Sequence, residues 1–141
     1  CEAASASVAR LKADLRDTGA KIDELTLKMK HAATYRQLKP IYDRYKVSKD
    51  KEKFLRGHES EIILFEAAAR ECMRLGAVPL PTTESMKTEL VRLTAERKRL
   101  LADYKTAQTE TKKYEAVKRN AEKLLSIRDV SEKAEKDAFV L

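Results

Sequence analysis

The sequence predicts an all-α protein built from long helices. Of its 141 residues, 38% are charged and 6% are aromatic, with three glycines and three prolines, and such a composition favours helices. Apolar residues recur at alternating spacings of three and four, the period of a helix packed on another helix. No Asn-Gly or Asp-Gly pair marks a turn between strands. We therefore expect an elongated helical hairpin or coiled coil with a compact helical insert, in a single domain spanning residues 1–141.

A first long helix is predicted over residues 5–39. Its seam has eight positions, namely Val8, Leu11, Leu15, Thr18, Ile22, Leu25, Met29 and Ala32. This narrow stripe suits packing on one other helix, in the same chain or in a second copy. Proline removes a helical hydrogen bond and disfavours α geometry at the preceding residue. We therefore expect a kink or break near Leu38–Pro40 and a separate short helix over residues 40–48.

A buried helix is predicted over residues 51–76, with Ser48 or Asp50 as its N-cap. Its apolar face is wider than a coiled-coil seam and comprises Phe54, Leu55, Ile62, Ile63, Phe65, Ala69, Cys72, Met73 and Leu75. Such a wide face indicates the most buried helix of the protein. We expect Gly57 to bend this helix, and Gly76 with the two prolines after it to end it.

A second long helix is predicted over residues 83–128, with Thr82 or Thr83 as its N-cap. Its seam repeats the spacing of the first helix through Met86, Leu90, Leu93, Arg97, Leu100, Tyr104, Ala107, Thr111 and Tyr114. After a phase slip, Val117, Ala121, Leu124 and Ile127 continue the apolar pattern. Residues 129–141 are expected to form a frayed end.

Positive charge is concentrated in residues 34–57. This segment has eight basic and three acidic residues, a net charge of +5, and the whole chain carries +7. The candidate nucleic-acid-binding residues are Tyr35, Arg36, Lys39, Arg44, Lys46, Lys49, Lys51, Lys53 and Arg56. Basic side chains bind phosphates with release of counterions, and aromatic rings stack on unpaired bases. The competing interpretations are a solvated charged face above core aromatics, and a surface for an acidic protein partner.

Sequence motifs for catalysis, metal binding and cofactor binding are not found. The chain has no glycine-rich phosphate loop and no Cys-x-x-Cys pair. His31 and His58 each lack a second His or Cys at ligand spacing. Cys72 lies at apolar helical spacing and is expected to be a small buried side chain. We therefore expect no enzymatic activity, no metal and no cofactor, and the lack of a long apolar run predicts no membrane span.

Three runs in the chain carry a family resemblance. They are YRQLKPIYDRY at 35–45, KEKFLRGHESEIILFEAAAR at 51–70 and GAVPLPTTESMKTE at 76–89. Together they resemble the region downstream of the nuclease domain in relaxases, the mobilisation nucleases of bacterial conjugative and integrative elements. The last helix is similar in character through about Leu125, whereas the first 30 residues match only as generic coiled coil.

The resemblance implies a part in plasmid or mobile-element transfer in the bacterial cytoplasm. A relaxase nicks one DNA strand with a tyrosine nucleophile and a metal held by a histidine cluster. Both belong to a nuclease domain whose motifs are missing here, so no tyrosine of this chain inherits the nucleophile role. The implied function is a non-catalytic helical domain that contributes DNA binding, single-stranded or duplex, or protein contacts in conjugative transfer.

Two further interpretations rest on other features of the chain. The seams alone are typical of a coiled-coil interaction or oligomerisation module, which self-associates or binds a helical partner without binding nucleic acid. Cys1 is also the position of the lipid-bearing residue in a processed bacterial lipoprotein, and an arbitrary cut of a longer chain produces the same first residue.

Overall fold

Three α-helices make up the protein in the computed structural model, which describes residues 2–138. They are α1 (Glu2–Val47), α2 (Lys51–Arg74) and α3 (Thr83–Ala138). No strand is present among the described residues, so the prediction of an all-α protein is confirmed. Cys1 and residues 139–141 are outside the described part, and so are the lipid-anchor interpretation and the last part of the expected frayed end.

Contacts within the chain group it into two compact units. One is Arg16–Arg97, and the other combines Cys1–Leu15 with Lys98–Leu141. The first unit contains most of α1, all of α2 and the start of α3, and therefore the whole basic segment. The expectation of a single domain stays a prediction.

Helix α1 continues through Pro40, so a break there is wrong, and residues 40–47 of the predicted short helix are the end of α1. A kink near Leu38–Pro40 stays a prediction. Proline costs a helix interior roughly 3 kcal/mol because it lacks an N–H group and its ring crowds the preceding turn. Packing on both sides of the proline offsets this cost. Tyr35 and Tyr42 flank Pro40, and both contact Phe65 of α2, with ring centroids 4.7 and 4.3 Å apart.

The seam positions of both long helices are enclosed over most of their length. All eight seam residues of α1 are buried or half-buried, and Ala32 has no exposed surface. On α3, Met86, Leu93 and Leu100 are buried, whereas residues 117–136 are all exposed. The burial agrees with the predicted spacing in α1 and in most of α3 as far as Thr111, whereas the later positions Val117, Ala121, Leu124 and Ile127 are exposed. The coiled-coil and elongated-hairpin geometry stay predictions.

Helix α2 begins and ends at signals that are visible in the sequence. Asp50 is the N-cap, and its carboxylate accepts a hydrogen bond of 3.1 Å from the Lys53 backbone N–H. At the other end Gly76 adopts a positive φ of 70°. The backbone N–H of Ala77 donates to the Cys72 carbonyl at 2.8 Å, and that of Gly76 donates to Met73, which is the Schellman arrangement. Because this turn begins at residue 75, α2 is two residues shorter than predicted.

Helix α3 begins at its predicted residue and continues past its predicted end. Thr82 is the N-cap, since its Oγ1 accepts a hydrogen bond of 3.0 Å from the Ser85 backbone N–H. The helix continues to Ala138, beyond the predicted end at residue 128. The described part of the predicted frayed end is therefore helical.

Within the unit Arg16–Arg97, α1 runs antiparallel to both other helices. Tyr45, near the end of α1, contacts Phe54 near the start of α2. The earlier residue Tyr35 contacts the later residue Phe65. Likewise Arg36 bonds to Thr83 at the start of α3, and residues 21–28 share a groove with Glu89 and Leu93. The core between these helices contains Ala32, Ile62, Phe65, Ala68, Cys72, Ala77, Met86 and Leu93. Since α2 and α3 run in the same direction, the connection between them returns alongside α2.

Candidate nucleic-acid interface

The short turn between α1 and α2 gathers a dense group of cations. Because α1 ends at Val47 and α2 begins at Lys51, these cations belong to two adjoining helix ends and to the turn that joins them. We call the group the basic tip, and its members are Arg44, Lys46, Lys49, Lys51, Lys53 and Arg56. All six are exposed. Residues 44–56 contain six basic and two acidic residues, a net charge of +4.

The acidic groups near the basic tip form no ion pair with it among the described residues, and Glu52, exposed in the first turn of α2, is already counted in the net charge of +4. The Asp43 carboxylate is held by Lys39, with an Nζ–Oδ2 distance of 2.8 Å, and Asp50 accepts the backbone N–H that starts α2. Among residues 2–138, none of the six tip cations forms an ion pair. Their charge is therefore directed to solvent, where it can act on a polyanion.

Beneath the cations lies a continuous aromatic row that joins α1 to α2. Its rings follow one another in the order Tyr35, Phe65, Tyr42, Tyr45, Phe54 and His58. The centroid distances along this order are 4.7, 4.3, 6.0, 6.1 and 4.5 Å. Aromatic pairs at such distances stabilise a fold by about 0.5–1.5 kcal/mol each beyond their buried area. The row therefore positions the turn and with it the basic tip.

Two tip cations rest on rings of this row. The Arg44 guanidinium lies 5.7 Å from the centroid of the Phe54 ring, and the Lys46 ammonium lies 5.8 Å from that of Tyr42. A cation over an aromatic face gains roughly 0.5–1 kcal/mol at an exposed site. These contacts orient the two side chains and leave their charges exposed.

Helix α2 bends just after the basic tip. The sequence predicted a bend at Gly57. The next residue, His58, has φ −136° and ψ 26°, outside the helical region. The His58 ring packs on Phe54, and its Nδ1 lies 3.3 Å from Glu61 Oε2. The bend separates the basic start of α2 from its buried part. A groove of about 270 Å³ lies at this bend and is lined by Ser48, Asp50, Lys53, Phe54, Gly57 and His58.

The three remaining candidates each have an intramolecular partner. Tyr35 packs on Phe65. The Arg36 guanidinium donates to the carbonyl of Pro81 and, at 3.3 Å, to the Thr83 hydroxyl. Lys39 binds Asp43, and this hydrogen bond raises the pKa of the Lys39 ammonium. At 1.5 Å per residue, Tyr35 is about 13 Å along α1 from Arg44. The structure thus divides the nine candidates into six at the tip and three that stabilise the fold.

An apolar cleft that the sequence did not predict lies beside Tyr35, between α2 and the α2–α3 connection. The cleft has a volume of about 390 Å³ and is lined by Tyr35, Ala69, Cys72, Met73, Val78, Pro79 and Leu80. Cys72 is 2% exposed, as expected for a structural thiol, and burial raises its pKa. The cleft forms where the α2–α3 connection returns alongside α2, and nothing local in the sequence indicates that path.

The described residues contain neither a metal-binding cluster nor a membrane-spanning helix. Among residues 2–138, no three His, Cys, Asp or Glu side chains are arranged to hold a metal ion. In the same part of the chain, no helix combines the length and the apolar content needed to cross a membrane.

Comparisons of the chain with models of known protein families, with curated proteins and with solved structures found no match. The basic tip and the sequence runs 35–45 and 51–70 are therefore the features that indicate a function.

Proposed function

We propose that this chain is a non-catalytic helical domain that binds DNA through the basic tip, in a bacterial protein of the relaxase type that mobilises DNA. The supporting observation is the cluster of six exposed cations around one turn, none of them in an ion pair among residues 2–138. A solvated face that serves only solubility has no need to gather its positive charge at one point.

Phosphate contact explains this arrangement physically. Each phosphate that a lysine or arginine neutralises releases condensed counterions, and this release drives association at moderate salt. Lysines such as Lys49, Lys51 and Lys53 suit the task because an ammonium is a point charge that needs no fixed geometry. The rigid aromatic row holds these charges near one another before DNA arrives.

The relaxase context rests on the resemblance of the central runs. The run at 35–45 carries three of the six rings of the aromatic row, and the run at 51–70 begins with two of the four tip lysines. DNA transfer by conjugation requires proteins that hold DNA outside the nuclease site, which is the role assigned here to the tip.

The test reverses three charges at the tip. We expect the variant Lys49→Glu, Lys51→Glu, Lys53→Glu to lose DNA affinity and to keep its helicity, because all three side chains are exposed. Fluorescence anisotropy of labelled DNA measures affinity, and circular dichroism measures helicity. The matched control reverses Lys118, Lys123 and Lys133, which are equally exposed on α3. Equal affinities of the two variants would refute the assignment of the tip.

A second candidate function is self-association through α3. Tyr114, Val117, Leu124 and Leu125 are exposed by 46, 66, 68 and 59%, respectively. With Ala121 they lie within about one third of the helix circumference, a stripe of the width that packs on another helix. We call this group the α3 stripe. A second copy of the chain is the partner that the coiled-coil spacing favours, and this function does not require DNA.

A further inference from the structure

We propose that the basic tip binds the sugar–phosphate backbone of DNA and takes no part of its affinity from the bases. This inference rests on the proposed function and specifies its ligand. It predicts binding that is independent of base sequence and stronger for duplex than for single strands. Three features of the tip support it.

The first feature is that two aromatic rings of the basic segment, those of Tyr42 and Phe54, have partners on them, and Tyr45 lies between these two at 6.0 and 6.1 Å. Proteins that bind single strands stack bases on free aromatic faces. Here Tyr42 has Phe65 stacked on it at 4.3 Å and the Lys46 ammonium over its ring. Phe54 has the His58 ring at 4.5 Å and the Arg44 guanidinium above it. A base would have to displace these partners, so stacking offers no net gain.

The second feature is the small number of groups that read base edges. Asn and Gln recognise adenine, and neither occurs in residues 44–56. The Ser48 hydroxyl donates a hydrogen bond of 3.2 Å to the Asp50 carbonyl. The Arg44 guanidinium lies over Phe54, and the four lysines act as point charges. Glu52, which can accept from cytosine, and Arg56, which can form a paired contact with guanine, remain, and Arg56 can be tested directly.

The third feature is the match between clustered cations and charge density. Duplex DNA carries one phosphate charge per about 1.7 Å of axis, twice the density along either strand alone. Cations from two helix ends and a turn form a convex group that meets several phosphates at once only where phosphates are dense. Duplex is therefore the expected ligand.

The experiment uses the whole chain and four labelled probes of equal length. They are a G·C-rich duplex, an A·T-rich duplex, a thymidine single strand and the same strand without bases. We expect the two duplexes to bind equally within about twofold, both more tightly than either strand, and the two strands to bind alike. Tighter binding of the thymidine strand than of the base-free strand would overturn the inference, because it would reveal stacking.

Two variants sharpen the result. Replacing Lys49, Lys51 and Lys53 with Gln should lower the slope of log affinity against log salt by about three units, by the same amount on both duplexes. Arg56→Lys should leave the ratio of the two duplex affinities unchanged. A changed ratio would show that Arg56 reads guanine and would overturn the inference while the proposed function stands. If the unchanged chain binds none of the four probes at low salt, both the inference and the proposed function are overturned.

Discussion

The charge of Arg36 predicted a role in phosphate binding, but the hydrogen bonds of its guanidinium lie within the fold. Its sequence neighbours place it among the phosphate-binding candidates, yet its guanidinium holds the carbonyl of Pro81 and the hydroxyl of Thr83. Both acceptors lie more than forty positions away in the sequence. By binding them, Arg36 ties the α2–α3 connection to α1 and fixes where α3 begins. Its charge is therefore used within the fold.

Arg36→Met is expected to lower the free energy of unfolding by about 1–3 kcal/mol, the usual loss for hydrogen bonds made by a charged group. Urea denaturation measures the change. Arg99→Met is the control, because Arg99 is exposed on α3. DNA affinity should stay within about twofold of the unchanged chain. Equal stability of the two variants would show that the Arg36 contacts add nothing to the fold.

The aromatic row is the element that holds α1 and α2 together near the tip. Phe65 is 5% exposed and contacts tyrosines on both sides of Pro40. These contacts keep helical a segment that proline would otherwise weaken. They also fix the angle at which the basic tip is presented, so the same rings serve the fold and the proposed interface.

A double-mutant cycle of Tyr42→Leu and Phe65→Leu tests this role. We expect a coupling energy of about 0.5–1.5 kcal/mol between the two rings, the range found for aromatic pairs. Phe65→Leu should also speed amide hydrogen exchange just after Pro40, because the packing that bridges the proline is lost. Tyr114→Leu, at a half-exposed ring outside the row, is the control for the cost of losing a tyrosine. If the losses in free energy of unfolding for the two single variants add strictly in the double variant, Tyr42 and Phe65 do not stabilise each other directly.

At the scale of the whole molecule, the chain offers two surfaces of different chemistry. The basic tip belongs to the unit Arg16–Arg97, and the α3 stripe belongs to the other unit. One surface suits a polyanion and the other an apolar helix, so the two functions can be separated by substitution. A molecule with both would bind DNA and assemble with a second copy.

Val117→Glu with Leu124→Glu should abolish any self-association, because the charges would be buried in an apolar contact at high cost. Analytical ultracentrifugation across a concentration series measures the mass. The control is Thr109→Glu with Ser126→Glu, which adds the same charge to exposed positions of α3. We expect the unchanged chain and the control to dimerise as concentration rises. A monomer at every concentration for the unchanged chain would exclude the self-association function.

Much of the fold follows from the sequence because it depends on near neighbours. The apolar spacing predicted helices, and Gly76 marked a helix end. Each predicted N-cap was one of two residues, Ser48 or Asp50 and Thr82 or Thr83, of which the structure has Asp50 and Thr82. Helix caps and periods involve residues within about one turn of each other, so a single sequence contains all the information. The concentration of charge in residues 34–57 is likewise a property of the sequence alone.

The tertiary structure decided what depends on residues far apart in the chain. Locally, Pro40 predicted a break, and the distant ring of Phe65 offsets its cost. Tyr35 and Arg36 were predicted to bind DNA because an aromatic ring and a cation suit that role. In the structure, Phe65 of α2 packs on Tyr35, and Pro81 of the α2–α3 connection accepts a hydrogen bond from Arg36. The sequence alone determined the all-α class, the candidate helix caps and the location of the charge. Only the tertiary structure decided which charged and aromatic side chains remain free, because that depends on partners brought together by folding.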